Sequence, residues 1–131
     1  MSAPTFTLGK YMSKPSGLTK PSLMMVMGPY GGGKTYFSAS ASLVPELRKV
    51  LIVDLEGSTT GTVSDFDDDY LHIIDIQKQA QEANVHPVVF FEAVMDQVFE
   101  HPDEYNTVVI DTLDVLNNMY LEYYEHNSPT G

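Results

Sequence analysis

The feature that most constrains this chain is a glycine-rich segment at residues 28–35, Gly-Pro-Tyr-Gly-Gly-Gly-Lys-Thr. It fits the pattern G-x-x-x-x-G-K-[ST], which is a phosphate-binding P-loop. An apolar run at residues 23–27 precedes it and predicts a buried strand, and a helix-capable run at residues 35–43 follows it. A strand, a glycine loop and a helix in this order are the context that the pattern requires. A chance glycine-rich turn would explain the string but not its two flanks.

The chemistry of such a loop comes from its backbone. Glycines carry no Cβ, so several backbone N–H groups can converge on phosphate oxygens, and the next helix directs its positive end at the same anion. Lys34 is expected to contact the β- and γ-phosphates, with a catalytic role there, and the Thr35 hydroxyl is expected to ligate Mg²⁺. The predicted nucleotide-binding residues are Gly28, Pro29, Tyr30, Gly31, Gly32, Gly33, Lys34, Thr35 and Tyr36.

Two more apolar runs end in carboxylates. Residues 108–111 have the form of a Walker B strand, whose terminal Asp111 is expected to hold Mg²⁺ beside the phosphates. Many P-loop ATPases of the AAA+ type carry a glutamate after that aspartate, but Thr112 stands there in this chain. The other run, residues 49–54, ends in Asp54 and is followed by Glu56, where ligands bind in open α/β sheets. The segment Asp54-Leu55-Glu56 therefore offers a carboxylate that could act as the catalytic base.

The rest of the chain predicts a three-layer α/β fold, a P-loop NTPase core with a mostly parallel sheet of about four strands and helices on both faces. The further elements are a strand at 70–76, a loop at 77–86, a helix at 88–100 with Pro87 in its first turn, a strand at 106–111 and a helix at 113–126. The acidic run at residues 65–69 lacks the spacing of a calcium loop and predicts a solvated face.

Length and charge predict two regions. Residues 1–21 predict a flexible basic arm and residues 22–131 the P-loop core. Residues 1–45 carry a net charge of +4 and residues 46–131 carry −15, so most of the surface repels nucleic-acid phosphate. There is no cysteine, no apolar signal core and no run of the ~20 apolar residues that a membrane helix needs. We expect a soluble, cytoplasmic protein that has no membrane partner.

The three motifs together resemble the RecA-like ATPases, and more closely the phage-encoded AAA-type nucleotide-binding proteins that work with single-strand annealing proteins. The resemblance rests on residues 28–35, 52–57 and 108–114. It implies Mg-ATP binding and hydrolysis in DNA recombination or repair, with Glu56 polarising the attacking water. It also implies a homo-oligomer, and single-stranded DNA or an annealing protein as partner through a missing C-terminal part. A phage-encoded chain would act in the host cytoplasm.

The chain departs from the RecA-like pattern in two ways. That core normally continues past the Walker B helix and holds a further strand between the Walker A and Walker B strands, so this chain is expected to be truncated there and to leave a gap in its sheet. Basic residues able to reach a γ-phosphate are also few. Two alternatives stay open: a nucleotide-binding module without turnover, and a P-loop small-molecule kinase. A kinase would need arginine-rich loops, whereas Arg48 is the sole arginine in the sequence.

Overall fold

The computed structural model describes residues 22–29, 31–57 and 59–127; the arm predicted at residues 1–21 lies outside them. The strands are β1 (Val50–Asp54), β2 (Leu71–Asp75) and β3 (Thr107–Asp111). The α-helices are α1 (Lys34–Ala39), α2 (Thr59–Thr62), α3 (Ile76–Ala83), α4 (Pro87–Glu100) and α5 (Leu113–Asn127). Two 3-10 helices, Ser40–Leu43 and Pro45–Leu47, connect α1 to β1.

The sheet is parallel and has the order β2-β1-β3, with β1 in the centre. Val50 at the start of β1 lies opposite Leu71 of β2 and Thr107 of β3. The register carries through to the other end of the strands, where three aspartates lie side by side: Asp75, Asp54 and Asp111. Because parallel strands end at one edge, all three acids stand at the edge where α/β proteins bind ligands.

Both faces of the sheet are covered. Leu51 and Val53 of β1 point into an apolar cluster formed with α3, α4 and α5, whose buried members are Leu51, Val53, Leu55, Ile76, Val88, Phe91 and Met119. The alternate residues of β1 enter a second cluster on the opposite face, with Ala39, Val50, Ile52, Val63 and Leu71 buried. Every residue of β1 is buried, as a strand covered on both faces requires. The predicted three-layer α/β fold is confirmed.

The strand predicted at residues 23–27 is wrong. These residues form no strand, and their side chains are largely exposed: Leu23 is 101% exposed and Met27 is 83% exposed. Within the described parts of the chain no strand pairs with the outer edge of β3, so the sheet has three strands rather than about four. An apolar run becomes a strand only where a neighbour satisfies its backbone N–H and C=O groups, and residues 23–27 have no such neighbour among the residues that the structure describes.

The loop predicted at residues 77–86 is also wrong, because α3 occupies most of it. The Asp75 carboxylate caps this helix by accepting a hydrogen bond from the Lys78 N–H, at 3.0 Å. Ile76 and Ala80, one turn apart, are its only buried residues, and Asn84 ends it in the left-handed conformation, with φ of 55°. Two apolar positions in a polar stretch were too weak a periodic signal to predict the helix.

The two longer helices agree with the sequence-based prediction. The helix predicted at residues 88–100 is α4, in which His86 accepts a hydrogen bond from the Val88 N–H and Pro87 takes the first position. The helix predicted at residues 113–126 is α5. Among the described residues, no helix combines the length and the apolar character that crossing a membrane would demand.

Candidate functional site

The glycine loop before α1 has a backbone that larger residues could not adopt. The Gly32 N–H donates to the Pro29 carbonyl oxygen at 3.0 Å, which closes a tight turn. A Cβ on Gly32 would lie 2.9 Å from that oxygen, closer than real Cβ atoms approach. Gly33, at the N-cap of α1, has φ of +85°, a region that L side chains rarely adopt. Tyr30, also predicted to bind nucleotide, lies outside the described residues.

Lys34 folds back over this loop. Its Nζ donates hydrogen bonds to the carbonyl oxygens of Gly28, at 2.8 Å, and Pro29, at 3.0 Å. An ammonium group has three donors and no acceptor, so these bonds can be exchanged for bonds to an anion at the loop without burying an unpaired group. The positive charge of Lys34 is thereby held at the loop.

Thr35 and Asp111, the two residues predicted to hold Mg²⁺, are in direct contact. The Thr35 hydroxyl at the start of α1 donates to Asp111 Oδ2 at the end of β3, over 2.6 Å. Asp111 is 8% exposed. A hydroxyl and a carboxylate are hard oxygen ligands of the kind Mg²⁺ takes, one or two of them beside substrate phosphates. The residues present therefore fit a magnesium ion.

Asp54 shapes the loop after β1. Its side chain is 1% exposed and accepts three backbone N–H bonds, from Glu56 at 3.0 Å, Gly57 at 2.9 Å and Thr59 at 3.2 Å. Gly57 reverses the chain with φ of +84°. Asp54 therefore holds the backbone that carries Glu56. The sequence predicted an acidic residue at the end of this strand, but it did not predict the hydrogen bonds that Asp54 accepts from the following loop.

Glu56 is exposed, and its Oε1 accepts a hydrogen bond from the Thr112 hydroxyl at 3.2 Å. Thr112 follows Asp111 directly, so the candidate base in the loop after β1 contacts the residue that occupies the usual glutamate position after β3. From the sequence alone, Thr112 is notable only because it replaces the usual glutamate. The signal that could have found the pair is the parallel pairing of the two runs, which aligns Asp54 with Asp111.

Tyr36, the last predicted nucleotide-binding residue, packs against Phe66. Their ring centroids are 4.9 Å apart with an interplanar angle of 63°, an edge-to-face contact. Tyr36 is still 52% exposed. Phe66 precedes Asp67, Asp68 and Asp69, which are exposed and whose carboxylates lie within 4.8 Å of one another.

A groove of about 770 Å³ lies apart from these residues, between β2, α3 and α4. His72 and Tyr105 line it and are joined by a 2.7 Å hydrogen bond between His72 Nδ1 and the Tyr105 hydroxyl. Burial, followed by the nearby Glu104 carboxylate, raises the pKa of Tyr105. None of the predicted site residues lines this groove, so it is separate from the P-loop.

A protein-family model described as an AAA domain matches residues 20–131, which include the glycine loop, the loop after β1, and β3. The chain belongs to the AAA domain family. No curated protein and no solved structure matches it. Membership supports nucleotide binding by a P-loop ATPase-like domain, as the sequence predicts. The phage setting, the annealing partner and the roles of individual residues in this AAA domain stay predictions.

Proposed function

We propose that this AAA domain binds Mg-ATP at residues 28–35 and hydrolyses it. The observation that carries the proposal is the 2.6 Å hydrogen bond between the Thr35 hydroxyl and Asp111. It joins the end of the Walker A motif to the end of the Walker B motif across 76 positions of sequence. A chance glycine-rich turn would give no reason for a buried carboxylate to meet its threonine.

Each residue at the loop has a separate task. Backbone N–H groups around Gly33 bind phosphate oxygens, and Lys34 exchanges its two carbonyl partners for the terminal phosphates. Thr35 and Asp111 would hold the magnesium ion. When bound, the ion supplies positive charge that offsets the charge of the phosphate oxygens.

Glu56 is the residue we assign as general base. Of the two carboxylates near the carboxyl end of β1, Asp54 is buried and already accepts three backbone N–H bonds. Glu56 is exposed and has one carboxylate oxygen bonded to Thr112. It can therefore accept a proton from an attacking water, while Asp54 holds the loop in place.

The biological setting that we propose is DNA recombination or repair, and it rests on the resemblance to RecA-like ATPases. The charge distribution restricts how DNA could be contacted. Residues 46–131 carry a net charge of −15, so contact with single-stranded DNA would come from the basic residues 1–45 or from a partner.

Binding is tested by calorimetric titration of the protein with Mg-ATP. We expect Lys34→Ala to weaken binding by about 1.5–3 kcal/mol, or roughly 10- to 150-fold, because a charge-assisted contact is lost. Lys49→Ala is the matched control. It removes the same charge from an exposed position beside the amino end of β1, and we expect unchanged affinity. Equal affinities in the wild type and Lys34→Ala would refute the assignment of the P-loop.

Hydrolysis is tested by phosphate release. We expect Glu56→Gln to bind Mg-ATP normally and to release phosphate about 100-fold more slowly, the contribution typical of a general base. If Glu56→Gln hydrolyses ATP at the normal rate and Asp114→Asn does not, then Glu56 is not the general base.

Stimulation of hydrolysis by single-stranded DNA would support the recombination role. Phosphate transfer to an added acceptor would indicate a kinase, and binding without release would indicate a module without turnover.

A further inference from the structure

The contact between Thr112 and Glu56 connects two segments that are 56 positions apart in sequence. Thr112 lies between Asp111 and the first residue of α5, and its carbonyl oxygen accepts the N–H of Leu116 at 3.1 Å. The threonine backbone is therefore tied to the start of a helix. A β-branched side chain also has few χ1 rotamers. The hydroxyl of Thr112 is thus a donor with a well-defined position next to Asp111.

The backbone of Glu56 is fixed independently of its side chain. The Leu55 N–H donates to the Asp111 carbonyl oxygen at 2.7 Å, and the Glu56 N–H donates to Asp54 Oδ1 at 3.0 Å. The Glu56 side chain itself is exposed and can rotate about three bonds. Within the described residues, the bond from Thr112 is the contact that selects one orientation of its carboxylate.

We propose that Thr112 is a positioning residue that holds the Glu56 carboxylate beside Asp111 for the hydrolytic step. The inference rests on the proposed function and deepens it. Thr112 occupies Oε1 and leaves Oε2 to accept the proton of the attacking water. The water oxygen forms a bond to the γ-phosphorus, the bond from that phosphorus to the bridging oxygen breaks, and ADP leaves with the electron pair.

This role predicts a specific dependence on the side chain at position 112. The bond is exposed, so its loss should change stability little. Thr112→Val keeps the branched shape and removes the donor, whereas Thr112→Ser keeps the donor and removes the methyl group. A packing role would be preserved by valine, and a positioning role by serine.

The experiment measures steady-state ATP hydrolysis and Mg-ATP affinity for the wild type, Thr112→Val, Thr112→Ser, Glu56→Gln and the double variant Thr112→Val/Glu56→Gln. We expect Thr112→Val to lower kcat about 10- to 100-fold, the scale of a misplaced catalytic group, with KM and Kd unchanged. Serine should restore most of kcat. The double variant should be no slower than Glu56→Gln alone, because both changes remove the action of one carboxylate.

Several outcomes would overturn the inference. If Thr112→Val has the kcat of the wild type, Thr112 does not act through Glu56. The same conclusion follows if valine lowers the kcat of Glu56→Gln by as large a factor as it lowers the kcat of the wild type. If the wild type binds Mg-ATP without hydrolysing it, there is no hydrolytic step for Thr112 to assist, and the inference is refuted. A wild type that does not bind Mg-ATP refutes the proposed function instead. Urea unfolding checks that each variant is folded, and Thr112→Ala replaces the valine variant if that one is not.

Discussion

At the scale of single residues, two carboxylates that are almost adjacent in sequence have different surroundings and therefore different roles. Asp54 is buried and bonded to the backbone of three residues, and Glu56 is exposed and bonded to a hydroxyl. A carboxylate that already accepts several N–H bonds has little capacity left for chemistry. Asp54 therefore has the structural task, and its neighbour is available for the catalytic one.

We predict that Asp54→Ala lowers the free energy of unfolding by about 1–3 kcal/mol. The change leaves the Thr59 N–H, whose hydrogen bond is buried, without an acceptor, and a buried unpaired group costs about that much. The part-buried N–H groups of Glu56 and Gly57 lose the same acceptor at a smaller cost. Urea unfolding measures the loss. Asp68→Ala, at an exposed acid, is the control and should stay within about 0.5 kcal/mol of the wild type. Equal stabilities of the two variants would contradict the role of Asp54.

At the scale of elements, α4 and α5 are joined by an aromatic contact with a polar end. Tyr120 of α5 packs edge-on against Phe91 of α4, at 6.4 Å between ring centroids, and its hydroxyl donates to Glu92 Oε1 at 3.0 Å. Burial, followed by the bond to Glu92, raises the pKa of Tyr120 from 10.0 to about 12. The contact between the two helices therefore depends on a protonated tyrosine.

We predict that this contact weakens at alkaline pH. A group whose pKa is raised by folding contributes stability in full below its unfolded pKa of 10.0, and that contribution is lost as the pH rises towards about 12. The difference in unfolding free energy between the wild type and Tyr120→Phe should stay constant below pH 10 and shrink above it. Urea unfolding at a series of pH values measures this difference. Because burial is the larger cause of the raised pKa, part of this pH dependence should remain in Glu92→Gln. A difference in unfolding free energy that stays constant up to pH 12 would contradict the prediction.

At the scale of the whole molecule, the sheet is paired at its centre and unpaired at both outer edges within the described residues. β1 bonds to a strand on each side, whereas β2 and β3 each bond to one. Residues 23–27 do not pair with β3, so the direct pairing of these two segments expected for a kinase-like P-loop protein is not formed. The strand order expected from the RecA-like resemblance stays a prediction, because residues 23–27 form no strand whose place in the sheet could be compared.

We predict that amide hydrogen exchange follows this arrangement. Amides of β1 should be the most protected, because both of its edges are bonded inside the two apolar clusters. Amides of residues 23–27 should exchange at rates close to those of an unstructured chain. β2 is the internal control, since it also has one bonded edge and should resemble β3. Slow exchange at residues 23–27, with a ladder between them and β3, would refute the RecA-like order.

The sequence alone determined the features that depend on neighbouring residues. The glycines of residues 28–35, the apolar run of β1 and the periodicity of α4 and α5 are local patterns, and each predicted its element close to the bounds observed. The three-layer fold followed from the order of those elements. The predicted magnesium ligands Thr35 and Asp111 also meet in space, where the start of α1 contacts the carboxyl end of β3.

Only the tertiary structure decided the features that depend on which distant residues meet. Residues 23–27 are as apolar as β1, but apolar character does not create the hydrogen-bonding neighbour that a strand requires. The helix α3 is stabilised by an aspartate at the end of β2 and by two buried positions. The bond between Thr112 and Glu56 arises from the register of β1 and β3, which no local pattern specifies. Strand pairing is a long-range choice, and it sets the surroundings of the candidate base.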